Sequence, residues 1–522
     1  MTPPGKITYT TLAADESIHE AFEQALAGVM EDLGQHHPVL IGGKEVSARE
    51  EFTVRSPIDR DILIGHFQNG GPVEIDAAIS AAGRAFPSWE GAGFAERVRV
   101  VRATARAIEQ KQYSLAALIT MEVGKNRSES LAEVSEAVDM LSYYADLYER
   151  NQGYAVLMST DAAEGSISRS VLRPYGVWAV ISPFNFPLAL AAGMISAALI
   201  TGNTVVFKPT SEAPLTALHL SHAFDEGGVP PGVLNYMTCP GESFGDVVTA
   251  HPGIAGIAFT GSRDAGMWLH REFPARQAYP KPLVAEMGSK NPAIITAHAD
   301  LDKAVEGVTR SAFGYGGQKC SATSRVYVEA GIADAFLARL KERIARIRVG
   351  DPRGREIFIG PLINEKAVNR FREAVTGAVK AGGRVETGGE VISGGDQARG
   401  YYVSPTVVSG LPREHHLWRD ELFMPFLLVD TYTTIREALE QANGTDFGLT
   451  SGIFSEDPEE IDYYFAHIRF GVCYANRKGG ATTGAWPGNQ SFAGWKASGS
   501  TGKGVGGPYY LLSFLQEQAQ TR

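Results

Sequence analysis

The sequence predicts an α/β protein, with two doubly wound parallel-sheet domains and a small β oligomerisation element. Three observations predict it. At 522 residues the chain exceeds what one ordinary core serves, so two or three domains are expected. Through residues 173–286, and again through 287–488, short apolar runs alternate with helical patterns, the rhythm of βαβ units on a parallel sheet. Between 151 and 172, and again from 489 to 522, that rhythm breaks.

The elements follow in chain order. Residues 73–150 carry apolar positions three and four apart, as in ERVRVVRATARAIEQ and SLAEVSEAVDMLSYY, which predicts helices. SISRSVLRPYG alternates over a short run and predicts a strand pair. GVWAVISPF reads as a buried strand, with a helix after NFP. NTVVFKPT is the next strand, and APLTALHLSHAFDEGG a helix that ends at Gly-Gly. GVLNYMTC, a turn at Pro240-Gly241 and a further helix lead to the strand IAGIAFTGS. LVAEMGSKNPAIIT opens the second run. It continues through SRVYVEA, the helices ADAFLARLKERIARI and KAVNRFREAVTGAVKAGG, and the strand SGIFS. Residues 1–150 with 173–286 then form one domain, 287–488 a second, and 151–172 with 489–522 a bridging element. Open sheets of this kind bind ligands at the carboxyl ends of their strands.

Composition narrows the function classes. A net charge of −11 argues against a nucleic-acid surface and against an anionic membrane surface. The longest apolar stretch, PLALAAGMISAALI, is too short to span a bilayer and reads as a buried helix. The opening MTPPGKITYTTLAADESIHEAF has no apolar core, so no signal peptide is expected and the cytoplasm is the expected compartment. Cys239, Cys320 and Cys473 are too widely spaced for a disulfide framework or a recognisable metal site, and no metal is expected.

Cys320 stands apart from the other two. Its setting, FGYGGQKCSATSR, surrounds it with glycine and small polar residues. A lone cysteine is most often a small buried hydrophobe. Gln318, Lys319, Ser321 and Thr323 are poor neighbours for one, and a reactive thiol needs a polar, partly open site. A nucleophile whose own backbone N–H is free also supplies half of an oxyanion hole. An acyl intermediate then needs a base. Glu286, ending the apolar run LVAE, is the candidate, because partial desolvation would raise its pKa towards neutrality. Read alone, it is equally a surface carboxylate at a strand end.

AEMGSKNP followed by FGYGGQKCSA resembles the aldehyde dehydrogenase superfamily, with its E-L-G-G-K and G-Q-x-C motifs. Cys320 lies 34 positions after Glu286, the usual separation. ISPFNFP resembles the asparagine motif, FTGS the phosphate turn and ELFMPF the E-x-F-G-P motif. The resemblance runs from about residue 40 to the end, and five ordered motifs carry it. It implies that Cys320 attacks an aldehyde carbonyl, that Asn185 and the Cys320 N–H hold the oxyanion, and that Glu286 activates the hydrolytic water. It also implies NAD or NADP as cofactor. Ile181, Ser182, Pro183 and Phe184 would flank it, with Lys208, Thr210 and Ser211 at the adenosine ribose. Gly241, Gly245, Phe259, Thr260, Gly261 and Ser262 would lie near the pyrophosphate, and Met287, Gly288, Glu421 and Phe423 near the nicotinamide ribose. A homo-oligomer is implied, paired through the bridging hairpin.

The chain departs from the family pattern at four of these positions. Ser211 stands where many NAD-preferring members carry a glutamate, so NADP is also expected to be accepted. Met287, Ser289 and Met424 replace a leucine and two glycines. Within the family, GQKCSA, TTGAWPGNQSFAGWKASG and the closing GPYYLLSFLQEQ resemble the 1-pyrroline-5-carboxylate dehydrogenase branch. That branch binds the substrate carboxylate on the backbone of a glycine-rich loop. Thr483, Gly484, Ala485 and Ser321 would do so here, with Phe186, Lys319 and Phe492 lining the substrate chain. Oxidation of glutamate semialdehyde to glutamate is therefore expected. The alternatives are a succinate semialdehyde or broad-range aldehyde dehydrogenase, and a catalytically idle protein on the same fold.

Overall fold

The structure is a computed structural model, and it describes residues 8–9, 16–159, 165–480 and 486–522. Two seven-stranded sheets dominate it. The first runs Leu283–Glu286, Ile254–Thr260, Val177–Ile181, Thr204–Lys208, Leu234–Tyr236, Val39–Ile41, Lys44–Val46. Its first five strands are parallel, and the last two form an antiparallel hairpin at the edge. The central strands Val177–Ile181 and Thr204–Lys208 are buried almost throughout, which is why they read as continuous apolar runs rather than alternating ones.

The chain leaves Val177–Ile181, adds two strands on one side, and returns to lay Ile254–Thr260 on the other. The order therefore reverses between these two strands, and their carboxyl ends open a crevice at that point. The residues after them, Ser182–Asn185 and Gly261–Ser262, are those the motifs had singled out.

The second sheet runs Arg384–Thr387, Thr406–Ser409, Phe426–Tyr432, Thr323–Glu329, Asn291–Ile295, Thr450–Phe454, Val472–Ala475. All its pairs are parallel except the first. Helices Leu301–Phe313 and Ala333–Ile344 cover one face through Val305, Val308, Phe336 and Leu340.

Helix Ala189–Ile200 is apolar on every side because it is buried on every side. Helix Arg127–Arg150 packs against it so closely that a Cβ at Gly193 would sit 2.1 Å from Met140 Sδ. In the bridging element, Ser168–Pro174 pairs antiparallel with Leu515–Thr521 on one side and Ala155–Leu157 on the other. Three small sheets were not anticipated: two of two strands, Val391–Ile392 with Tyr402–Val403 and Phe447–Gly448 with Trp495–Lys496, and one of three, Gln35–His37, Leu63–Gln68 and Glu51–Arg55. Strands that short leave too little periodicity to read. Among the described residues no helix is long and apolar enough to cross a membrane.

Candidate active site

Cys320 is placed by strained backbone. After helix Leu301–Phe313 the chain turns through Tyr315, Gly316 and Gly317 with φ of 49°, 59° and 69°. Left-handed backbone is costly for tyrosine, and the Tyr315 hydroxyl, donating to the Val123 carbonyl at 2.8 Å, helps hold it there. Gln318 ties the same turn to its surroundings. It donates to the Pro361 carbonyl at 3.2 Å and accepts from the Ile363 N–H at 2.9 Å. The Cys320 carbonyl accepts from the Asn291 amide at 2.8 Å and from the Ser289 hydroxyl. Ser289, the departure from the second glycine of the motif, thus braces the Cys320 backbone directly.

The cleft that Cys320 lines has a volume of about 510 Å³. Asn185 lines it too, and its side-chain amide makes no hydrogen bond among the described residues. Burial, then Glu421 and Glu286, push the Cys320 thiol up to about 12, so it is protonated at neutral pH. Glu286 ends strand Leu283–Glu286 under the 494–499 segment, where its backbone bridges Gly499. One carboxylate oxygen is buried without a hydrogen-bond partner, and desolvation raises its pKa well above the ordinary carboxylate range. Glu286 does not itself line the cleft. Its carboxyl lies behind the wall, near the Gly494 N–H and Tyr144, yet within electrostatic reach of the thiol.

The rest of the cleft suits a dinucleotide. Helices Gly241–Ala250 and Arg263–Arg276 start on it, at Gly241 and after Ser262. Helix N-termini present free N–H groups to anions. A Cβ at Gly241 would meet nothing within 4 Å, so the backbone there is open to a ligand. The Ser182 hydroxyl is buried without a partner. Lys208 is almost fully buried; its ammonium donates to the Pro209 carbonyl at 2.8 Å, and burial lowers its pKa. Glu421 accepts from the Ser289 N–H at 2.7 Å, and burial raises its carboxyl to about 7. Phe423, at φ 60°, sets its ring edge-on to Phe184 at 5.8 Å.

Every expected cofactor position lines this cleft except Gly245. Gly245 belongs instead to the packing of two helices, where its missing side chain admits the Trp268 ring; a Cβ would lie 2.8 Å from it. Phe186, Lys319, Ser321 and Phe492 lie outside the cleft. Lys319 is buried and donates to Glu129 at 2.8 Å, while Phe186 carries the Lys125 ammonium 3.7 Å above its ring. Phe492 pairs its backbone with Val505 and packs on the core. Thr483, Gly484 and Ala485 fall outside the described residues. Sequence reasoning missed Arg370, Glu212 and Ala265, which also line the cleft. Arg370 sits in the amphipathic helix Glu365–Lys380, where a charged residue reads as solvated surface and nothing local marks it.

The Aldehyde dehydrogenase family model matches residues 44–519. A 1-pyrroline-5-carboxylate dehydrogenase from Bacillus pumilus (strain SAFR-032) is 34% identical over 520 residues, covering 99% of this chain and 98% of the relative. The solved structure of 1-pyrroline-5-carboxylate dehydrogenase from Thermus with bound NAD superposes with a TM-score of 0.93 at 33% identity, covering 100% of both chains. A structure described as an E. coli NADP dependent enzyme superposes with a TM-score of 0.87 at 30% identity, covering 93% of this chain and 98% of that one. With the cysteine, the asparagine and the dinucleotide cleft arranged as described, these matches settle the family: the chain belongs to the aldehyde dehydrogenase family.

Proposed function

We propose that the chain oxidises L-glutamate 5-semialdehyde to L-glutamate, using NAD or NADP. The observation that carries the chemistry is the shared wall on which Cys320 and the unengaged Asn185 amide meet the dinucleotide cleft. The likeness over nearly the whole chain to relatives named 1-pyrroline-5-carboxylate dehydrogenase supports the substrate.

Cys320 Sγ, after passing its proton to solvent water, adds to the aldehyde carbon to form a thiohemiacetal. The Asn185 amide and the Cys320 N–H hold the oxygen that becomes negative. Lys208, Ser262, Glu421 and Phe423 would hold the cofactor, which when bound supplies the hydride acceptor that turns the thiohemiacetal into a thioester. Glu286 then takes a proton from the water that attacks the thioester, releasing the acid and restoring the thiol. Its raised pKa suits a base that must be neutral for part of the cycle.

The division into a cofactor domain (1–150 and 173–286), a catalytic domain (287–488) and a bridging element (151–172 and 489–522) belongs to the same proposal. So does a homo-oligomer paired through that element: Val156, Leu157, Met158 and Ile167 there are more than half exposed or close to it, which an edge strand left alone would not favour. The cytoplasm is the proposed compartment. Initial rates with glutamate semialdehyde, succinate semialdehyde and propanal, each with NAD and NADP, test the reading. A clear preference for glutamate semialdehyde is expected. Flat rates across aldehydes would overturn the substrate, and no reduction of either cofactor would leave an idle protein on this fold.

A further inference from the structure

Beside Cys320, formed by residues that do not line the cofactor cleft, lies a largely buried cluster of charge and aromatic rings. Helix Arg127–Arg150 carries Glu129, Glu133 and Glu136 on one face, four and then three residues apart. Lys319 pairs with Glu129 at 2.8 Å, and Lys125 with Glu133 at 2.5 Å. Both lysines are thereby taken. The only hydrogen bond to the Glu136 side chain among the described residues comes from the Tyr9 hydroxyl, at 2.5 Å. Glu136 is within electrostatic reach of the Cys320 thiol.

Tyr9 is far from this cluster in sequence but central to it in space. Its ring meets Phe186 edge-on at 6.1 Å and Trp486 edge-on at 5.9 Å. The Lys319 ammonium stands 5.2 Å above the same ring. Phe186 follows Asn185 and Lys319 precedes Cys320, so Tyr9 touches the immediate neighbours of both groups that handle the carbonyl.

We infer that Tyr9 is a specificity-determining residue for the aldehyde: its ring walls the substrate end of the site, and its hydroxyl fixes Glu136 there. The inference rests on the reading that Cys320 and Asn185 bind the aldehyde carbonyl. The phenol does two separable things. The ring limits the width of the chain that fits between Phe186 and Trp486. The hydroxyl keeps one carboxyl, unmatched by a lysine, in a fixed position, where it distinguishes a substrate that bears an ammonium group from one that does not.

Tyr9→Phe and Tyr9→Ala separate the two. The probes are glutamate semialdehyde, glutarate semialdehyde (the same chain without the amine), propanal and the wider benzaldehyde. In Tyr9→Phe, kcat/KM for glutamate semialdehyde is expected to fall about tenfold, chiefly through KM, as loss of one hydrogen bond to a charged group implies. Glutarate semialdehyde and propanal should stay within about twofold. In Tyr9→Ala, the ratio of benzaldehyde to propanal turnover is expected to rise. The KM for NAD and the rate of Cys320 alkylation should not move in either variant, which shows that the fold and the cofactor site survive. Should both variants change every aldehyde by one common factor, or none at all, Tyr9 is structural and the inference is overturned. The substrate proposal fails separately, in the wild type, if another aldehyde is preferred. Tyr9 is then judged by whether Tyr9→Ala alters the ratio between that aldehyde and propanal.

Discussion

Gly288→Ala isolates the hold on the cofactor. Gly288 lies outside the left-handed region, so alanine brings no backbone strain there. The conflict is steric. A Cβ at 288 would sit 2.2 Å from Glu421 Oε2 and 2.8 Å from its carboxyl carbon. Backbone fixes the one side, so the carboxylate must leave and give up its 2.7 Å bond from the Ser289 N–H. Glu421 lines the cleft, and on the proposed reading it would accept from a ribose hydroxyl. With the carboxyl raised to about 7 both its forms are present, and a hydrogen bond contributes about 0.5–1.5 kcal/mol to the neutral and 1.5–3 kcal/mol to the charged form, so its loss weakens cofactor binding roughly three- to 150-fold. Among the described residues neither Cys320 nor Asn185 makes a hydrogen bond to Glu421; Ser289, which loses the bond, keeps its hydroxyl on the Cys320 carbonyl. The assay is a titration of NAD in initial-rate measurements, with direct cofactor binding by calorimetry and iodoacetamide alkylation of Cys320 in parallel. The expected result is a KM and a Kd for NAD that rise together, with Cys320 alkylation no slower than in wild type, because a Glu421 carboxylate that moves away no longer raises the thiol pKa. A KM within about twofold of wild type, in a protein that unfolds at the normal temperature, would refute the assignment of Glu421 to the cofactor.

Three other perturbations probe the remaining parts. Asn185→Ala removes an unengaged amide, so kcat should drop about 10²- to 10³-fold while NAD affinity is unchanged; a loss smaller than tenfold would remove Asn185 from the oxyanion hole. Glu286→Gln should leave a burst of reduced cofactor but slow steady turnover, since a thioester still forms and its hydrolysis lacks a base. Because burial raises the Glu286 pKa, the carboxylate base forms only as pH rises through that higher value, so wild-type deacylation should climb above the range of an ordinary carboxylate. A variant with the same pH profile would exclude Glu286 as the base. Glu122→Ala tests stability away from the chemistry. Glu122 accepts from the Leu215 and Thr216 N–H groups at 2.7 and 2.8 Å, capping helix Pro214–Gly227 from a neighbouring helix. Leaving two buried N–H groups unpaired should cost about 2–4 kcal/mol in denaturant unfolding at fixed protomer concentration, and a cost under about 1 kcal/mol would contradict that role.

Periodicity and local chemistry made much of this protein legible before any coordinates. Parallel strands buried on both faces must be continuous apolar runs, so VWAVI and NTVVF announced the first sheet. Residues that touch a dinucleotide through strand-end turns sit in short contiguous motifs, and Ile181–Asn185, Phe259–Ser262 and Met287–Gly288 all reached the cleft. Cys320 was readable because a usable thiol needs small and polar neighbours in the chain itself.

Contacts between distant segments were not readable, because no local pattern records them. Gly245 looked like a phosphate-turn glycine but serves the Trp268 ring. Arg370 looked like helix surface, and only the packing of its helix beside the crevice brings it into the cleft. Ser289 read only as a departure from the motif's second glycine, until the fold set its hydroxyl against the Cys320 carbonyl. Tyr9 carries no motif at all and gains its place from Phe186, Trp486 and Glu136, the nearest of them more than a hundred positions along the chain. The amino-acid order by itself determined the buried strands and main helices, the setting of Cys320 and the strand-end turns, since each depends on residues a few positions apart. Which side chains surround the thiol, which carboxyl stays unmatched and which glycine merely makes room are decided only when packing joins separate segments.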